Sequence, residues 1–404
     1  MLQALQIRDF RLLWVGSIVS DLGSWLLILA IPAHVFLVTG SLRDTGLTLA
    51  AQYLPLLLLG PVAGVFTDRW DRRRLMIGTN LFRAGAVAVM LLGTSPGRYW
   101  VFYVALIAES SGGVLYWPAV QARTPAIVGT GTLLSSANSL NAFADGAVRL
   151  IGGPIGGALL TVYGIKWLIC ADALSYLLSA LAMLMTSRPD REHSRNRATI
   201  RAVADDLING TRVLRRQSVA RALLPVTIIF LAANASLSAV LIPLGEQRLG
   251  GSEHTGVLLS CLGIGFLLGA PVLRLLLDRV QPRILLTASL TATAATYFLL
   301  FTSSSLATAL PAAIGVGMFG SMSEVIPQTA IQRVIPDAAL GRVSAVFLTG
   351  EAAATLCGAV AGPVLAQAAQ FSGLAATASL ITLIAAALTF LLVPPMPEQA
   401  EIPR

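Results

Sequence analysis

The segment Gly60-Pro-Val-Ala-Gly64-Val-Phe-Thr-Asp68-Arg69-Trp-Asp71-Arg72-Arg73-Arg74 closes a long apolar run, and its reading decides the fold. Before it lie some fifteen residues with no charge. After Gly64 come one carboxylate, then arginines, then a second apolar run. A helix that crosses lipid and turns at the membrane surface has this order, because the hydrocarbon excludes charge and the interface collects it. Gly64 lets a neighbouring helix approach closely. Asp68 stands where a carboxylate can accept from the exposed N–H groups at another helix's N-terminus.

The rest of the chain agrees. Of 404 residues, 55% are hydrophobic and 12% charged, and mean hydropathy is +0.76. That charge fraction is about half the soluble norm, too little to clothe a soluble surface. The net charge of +8 suggests nucleic acid only until its residues are located, in short loops between apolar runs. All basic residues but Lys166 are arginine, and no glycine-rich loop precedes Lys166, which excludes an ATP-driven pump of the Walker type. His34, His193 and His254 form no zinc-protease motif, no G-x-S-x-G is present, and Cys170, Cys261 and Cys357 are too widely spaced for a disulfide or zinc framework. No metal, cofactor, nucleic acid or enzymatic chemistry is expected. The first apolar run contains Asp21 and lacks a small-residue cleavage site, so it is expected to be a span rather than a signal peptide.

Apolar runs of spanning length predict twelve helices, near 12–37, 46–67, 74–94, 99–122, 134–162, 165–186, 219–243, 254–277, 284–302, 306–332, 343–368 and 373–393. Twenty-one basic residues fall in one set of loops and four in the other. This places both termini in the cytoplasm, with the protein in the inner membrane. The domains expected are a six-helix bundle over 1–186, a linker over 187–218, and a second six-helix bundle with a short tail over 219–404. In the linker, Ile200, Val203, Leu207 and Leu214 share a helical face away from Arg201, Asp205, Arg212 and Arg215. It reads as an amphipathic helix on the membrane surface or, equally, as a solvated connector. The halves repeat. Pro118 and Pro154 recur as Pro327 and Pro363 at an offset of 209, Gly60 recurs as Gly269, and Asp68-Arg69 as Asp278-Arg279 one residue later. Such parallel repeats are the architecture of secondary transporters.

The loop at 60–74 resembles the signature G-x3-D-R-x-G-R-R of the major facilitator superfamily, with Asp71 where the general pattern has glycine. Asp145-Gly146-x2-Arg149-x2-Gly152-Gly153-Pro154-x2-Gly157 resembles the glycine-proline motif of drug:proton antiporters, with Gly153, Pro154 and Gly157 matching. Physically, its small residues allow close packing and its proline bends the helix. The opening Arg8-Asp9-Phe10-Arg11 and Ser20-Asp21-Leu22-Gly23-Ser24-Trp25, with Ala137-Asn138-Ser139-Leu140, resembles the macrolide-efflux and siderophore-exporter branch. The resemblance covers essentially the whole chain. It implies an all-α integral membrane protein of twelve helices in two pseudo-symmetric bundles, monomeric in the bilayer. It further implies that Gly60, Gly64, Asp68, Arg69, Arg72 and Arg73 act as a conformational gate.

Charges inside spans need a reason, since each costs about 2.5–3.5 kcal/mol at a helix centre on insertion scales. Asp21 and Glu109 lie near the midplane, and Asp145 and Arg149 are one turn apart. Glu324 and Glu351 belong to the second half. The resemblance places the first and fourth spans of each half on a central cavity. Asp21, Glu109, Asp145, Glu324 and Glu351 are then the candidates for proton exchange, with Arg149 as counter-charge approaching Glu109 or Asp21. The plainer alternative is a set of structural ion pairs, such as Asp145 with Arg149. Arg83 and Asp172 are read as structural. Together these features predict a proton-coupled exporter of amphipathic small molecules, whose partners are its substrate, protons and lipid. A dedicated exporter of one metabolite, such as a siderophore, is the alternative. A receptor or membrane enzyme is the third reading.

Overall fold

The computed structural model describes residues 2–129, 132–187, 200–277, 279–335 and 337–395. Within the helices, the side chains of Gly64, Asp68, Arg69, Arg149, Gly153, Pro154 and Gly157 lie outside the described ones. After a short 3-10 turn at Leu2–Gln6 come α1 (Arg8–Thr39), α2 (Leu42–Arg69), α3 (Arg72–Gly93), α4 (Trp100–Val128), α5 (Thr132–Tyr163), α6 (Ile165–Leu184) and α7 (Ile200–Arg216). They are followed by α8 (Ser218–Ser238), α9 (Leu241–Arg248), α10 (Ser252–Leu277), α11 (Pro282–Thr302), α12 (Leu306–Val334) and α13 (Asp337–Leu392). Among the described residues there is no strand, and eight helical segments are long and apolar enough to cross a membrane.

The turns are set by residues that cannot continue a helix. Gly40, Gly129 and Gly164 take positive φ at helix ends, where a Cβ would be strained. The run read as one span over 219–243 is two helices, α8 and α9, divided at Ala239–Val240. The 56 residues of α13 are two helices joined at Gln370, whose φ of 61° breaks the helical path where the sequence predicted the last loop. The linker forms a helix, α7, over Ile200–Arg216, while the side chains of Ile200, Val203 and Leu207 on the predicted face lie outside the described ones. Its Gly210 lies so close to the Arg342 backbone carbonyl, at the start of α13, that a Cβ would collide with it.

The chain forms two compact units. One comprises Met1–Asp205 with Ala239–Ser260, and the other Asp206–Ser238 with Cys261–Arg404. In the first, α1 packs on α5 and α6, and α4 packs on both α2 and α3, while α2 and α3 barely touch. Small residues bring the backbones together. A Cβ on Gly152 or Gly156 of α5 would strike Trp25 or Leu26 of α1, and one on Gly23 of α1 would strike Asp172 and Ser175 of α6. The second unit repeats the device. Gly358 and Gly362 of α13 meet the carbonyls of Ala232 and Ser236 on α8, and Gly265 and Gly317 bring α10 onto α12. Between helices in lipid, contact of this kind replaces the hydrophobic drive available in water.

Candidate functional site

A polar cluster lies inside the first unit, assembled from four helices. Arg83 of α3 is 5% exposed and donates through Nη2 (2.7 Å) and Nε (3.0 Å) to one carboxylate oxygen of Glu109 on α4. Gly112 makes this possible. One turn beyond Glu109, it leaves room for the methylene stem of Arg83, which any Cβ there would hit. The Tyr176 hydroxyl of α6 donates to the same Glu109 oxygen at 2.6 Å, and its ring lies 4.2 Å beneath the guanidinium. That contact adds cation–π attraction to the ion pair. Ser24 of α1 hydrogen-bonds the Tyr176 hydroxyl at 2.7 Å, and Ser110 donates to the second Glu109 oxygen.

Asp172, 1% exposed on α6, accepts from Ser175 at 3.2 Å and lies close enough to feel the charges of Glu109, Arg83 and Asp21. Asp21 is half-buried on α1, in electrostatic reach of Tyr116, whose hydroxyl bonds Ser17 at 3.0 Å. Arg83 Nη1 is buried with no acceptor among the described residues. The Arg83 guanidinium thus meets two carboxyl groups, Glu109 and Asp172, and two phenol rings, Tyr116 and Tyr176, with Asp21 in electrostatic reach of Asp172 and Tyr116.

The counter-charge to Glu109 is therefore Arg83, which the sequence suggested only as a structural charge, and Asp172 joins the same cluster. The expected approach of Arg149 falls outside the described side chains, as do its pairing with Asp145 and the roles of Asp68 and Arg69. Asp145 is half-buried on α5. In the second unit, the repeat offset of 209 puts Ala292 and Met318 where the first has Arg83 and Glu109; there Tyr297 of α11 donates to Asn234 of α8 at 2.6 Å, with Glu324 of α12 in electrostatic reach. Glu351 is half-buried on α13.

At the arginine-rich end of the first unit, Arg72 and Arg73 are held on helix backbone carbonyls. Arg72 donates to the Ala122 carbonyl at 3.0 Å, and Arg73 to the carbonyls of Met183 and Leu184. Arg123, 1% exposed, holds Thr186 and the Ser187 carbonyl. Cations at helix C-terminal carbonyls complement the dipole of α6. Asp71, the departure from the signature, is the N-cap of α3 and accepts from the Arg74 backbone N–H at 2.8 Å. A glycine there could not supply that bond.

Comparison with known proteins places this geometry in context. The family model described as transmembrane secretion effector matches residues 1–404. The chain is 27% identical over 288 residues to macrolide efflux protein A of Streptococcus pyogenes, covering 70% of each chain. It is 27% identical over 272 residues to the multidrug efflux pump Tap of Mycolicibacterium fortuitum, covering 64% of this chain and 65% of that one. In structure it is similar to the nucleoside transporter NupG, with a TM-score of 0.76 over 96% of this chain and 100% of that one at 9% identity, a likeness of fold alone.

Proposed function

The chain belongs to the transmembrane secretion effector family of the major facilitator superfamily, a membrane transporter and not an enzyme, and we propose that it exports amphipathic small molecules in exchange for protons. It does so by alternating access of two six-helix halves, twelve spans in all, with both termini in the cytoplasm. The relatives named for macrolide and multidrug efflux support the direction and the substrate class.

One observation carries the proposed proton coupling: among the described residues, the buried Arg83 guanidinium is paired with Glu109 and also feels a second buried carboxyl, Asp172. An uncompensated charge buried in hydrocarbon is costly, so the cheapest way to balance the cluster is to bind protons. Glu109 pairs with Arg83, and Asp172, 1% exposed beside them, is the carboxyl proposed to take up the proton. When a cationic or polar substrate, or water, enters, the proton leaves. One proton crossing about 100 mV and one pH unit supplies about 4 kcal/mol, enough for a substrate gradient of a few hundred-fold.

The test is dye or macrolide efflux in proteoliposomes with the proton gradient imposed and then collapsed. Uphill efflux that persists without the gradient, or purified protein that releases no proton when substrate is added, removes the proposal.

A further inference from the structure

Beside the polar cluster, on the outer side of α4, the diverging helices α2 and α3 leave a groove of about 960 Å³. Its walls are mostly apolar: Leu59 of α2, Gly78 and Phe82 of α3, Gly112 and Leu115 of α4, with the hydroxyls of Thr79 and Ser111 turned onto backbone carbonyls of their own helices. Phe82 is 54% exposed, so the groove opens sideways, where lipid would lie, and not toward the bundle interior. Its polar end is the arginine-rich turn, with Trp70, Asp71 and Arg74. From Arg74 to Phe82 is eight helical residues, about 12 Å, against a leaflet hydrocarbon depth of roughly 15 Å.

The charges at this end are not equivalent. Arg72 and Arg73 are spent on helix carbonyls, and Asp71 is spent on capping α3. Arg74 is exposed, lines the groove, and has no side-chain hydrogen bond or ion pair among the described residues. Beside it, Trp70 is 53% exposed, an amphipathic ring of the kind found at headgroup level. A cation and an indole above an apolar slot are complementary to one shape: a phosphate with an acyl chain below it. Gly78 has no heavy atom within 4 Å of its Cβ direction, so the slot is open at its middle.

We propose that this groove binds an anionic phospholipid from the leaflet at the arginine-rich end, its phosphate on Arg74 and one acyl chain along Gly78 and Phe82. The site does not depend on what the protein transports.

The experiment is native mass spectrometry of the purified full-length protein in detergent with dioleoylphosphatidylglycerol or dioleoylphosphatidylcholine added. Wild type retains one phosphatidylglycerol in preference to phosphatidylcholine. Arg74→Gln weakens that retention about fivefold, the equivalent of ~1 kcal/mol for one arginine at an anionic surface. Arg74→Lys restores most of it. Gly78→Phe, whose Cβ enters open space and whose ring occupies the slot, removes the adduct while the melting temperature stays near that of wild type. Millimolar inorganic phosphate does not displace the lipid. Equal retention of both lipids, insensitivity to Arg74→Gln or to Gly78→Phe, or displacement by phosphate would each overturn the proposal.

Discussion

At the residue scale, Arg83 and Glu109 are each other's reason for being in the membrane. Neither is tolerable alone in hydrocarbon, but two donor nitrogens on one oxygen, a phenol hydroxyl and an aromatic face satisfy both. Arg83→Leu should therefore destabilise the protein by about 3–5 kcal/mol, because it leaves Glu109 buried and unpaired. The double replacement Arg83→Leu with Glu109→Leu should recover most of that loss, as measured by thermal melting in detergent, while proton-driven efflux stays absent. A double variant no more stable than the single one would mean that the pair is not the unit. Glu109→Gln keeps the shape but removes the charge, which leaves Asp172 to balance Arg83 and so with no proton to exchange. It should abolish uphill efflux and spare downhill substrate exchange in proteoliposomes. If uphill efflux survives in Glu109→Gln, the carboxylate is structural.

At the element scale, glycine spacing determines which helices touch. Gly156 of α5 meets Leu26 of α1, and Gly362 of α13 meets Ser236 of α8, both backbone to backbone. Gly156→Leu and Gly362→Leu should each cost about 1–3 kcal/mol, as overpacking does. Gly85→Leu, with open space before it, should shift the melting temperature little. Equal melting of all three variants would show that these contacts do not hold the bundles. The helices themselves were legible in the sequence, since apolar length follows directly from lipid thickness. The ends were less so. The fourth run was read to residue 122, yet α4 continues to Val128, with the buried Arg123 hydrogen-bonded to Thr186 and the Ser187 carbonyl instead of facing water. The partner of Glu109 was not legible either. Arg83 and Arg149 both lie near the midplane, and which of them faces α4 depends on helix rotation, which apolar runs do not encode. The signals available were Gly112 beside Glu109, making room for a long stem, and Tyr176 on α6. Asp71 was read only as a departure from the signature; an Asp directly before a helix start was the signal that it caps α3.

At the scale of the whole molecule, the two halves repeat in backbone contact but differ in charge. Among the described residues, the fully buried charged side chains are Arg83, Arg123 and Asp172, all in the first unit. Where the first unit places an ion pair between α3 and α4, the second sets Gly315 of α12 against Thr296 of α11 and pairs Tyr297 with Asn234. A neutral hydrogen bond inside a membrane protein contributes about 0.6 kcal/mol on average and carries no charge to exchange. On the proposed proton coupling, this asymmetry makes the first half the place to test for proton exchange. Substrate-induced proton release from purified protein should fall at least severalfold in Asp172→Asn and Glu109→Gln. It should remain within about twofold of wild type in Glu324→Gln and Glu351→Gln, the half-buried acids of the second unit. If instead Glu324→Gln or Glu351→Gln silences the release while Asp172→Asn leaves it intact, the coupling lies in the second half and the buried cluster of the first is a structural clamp.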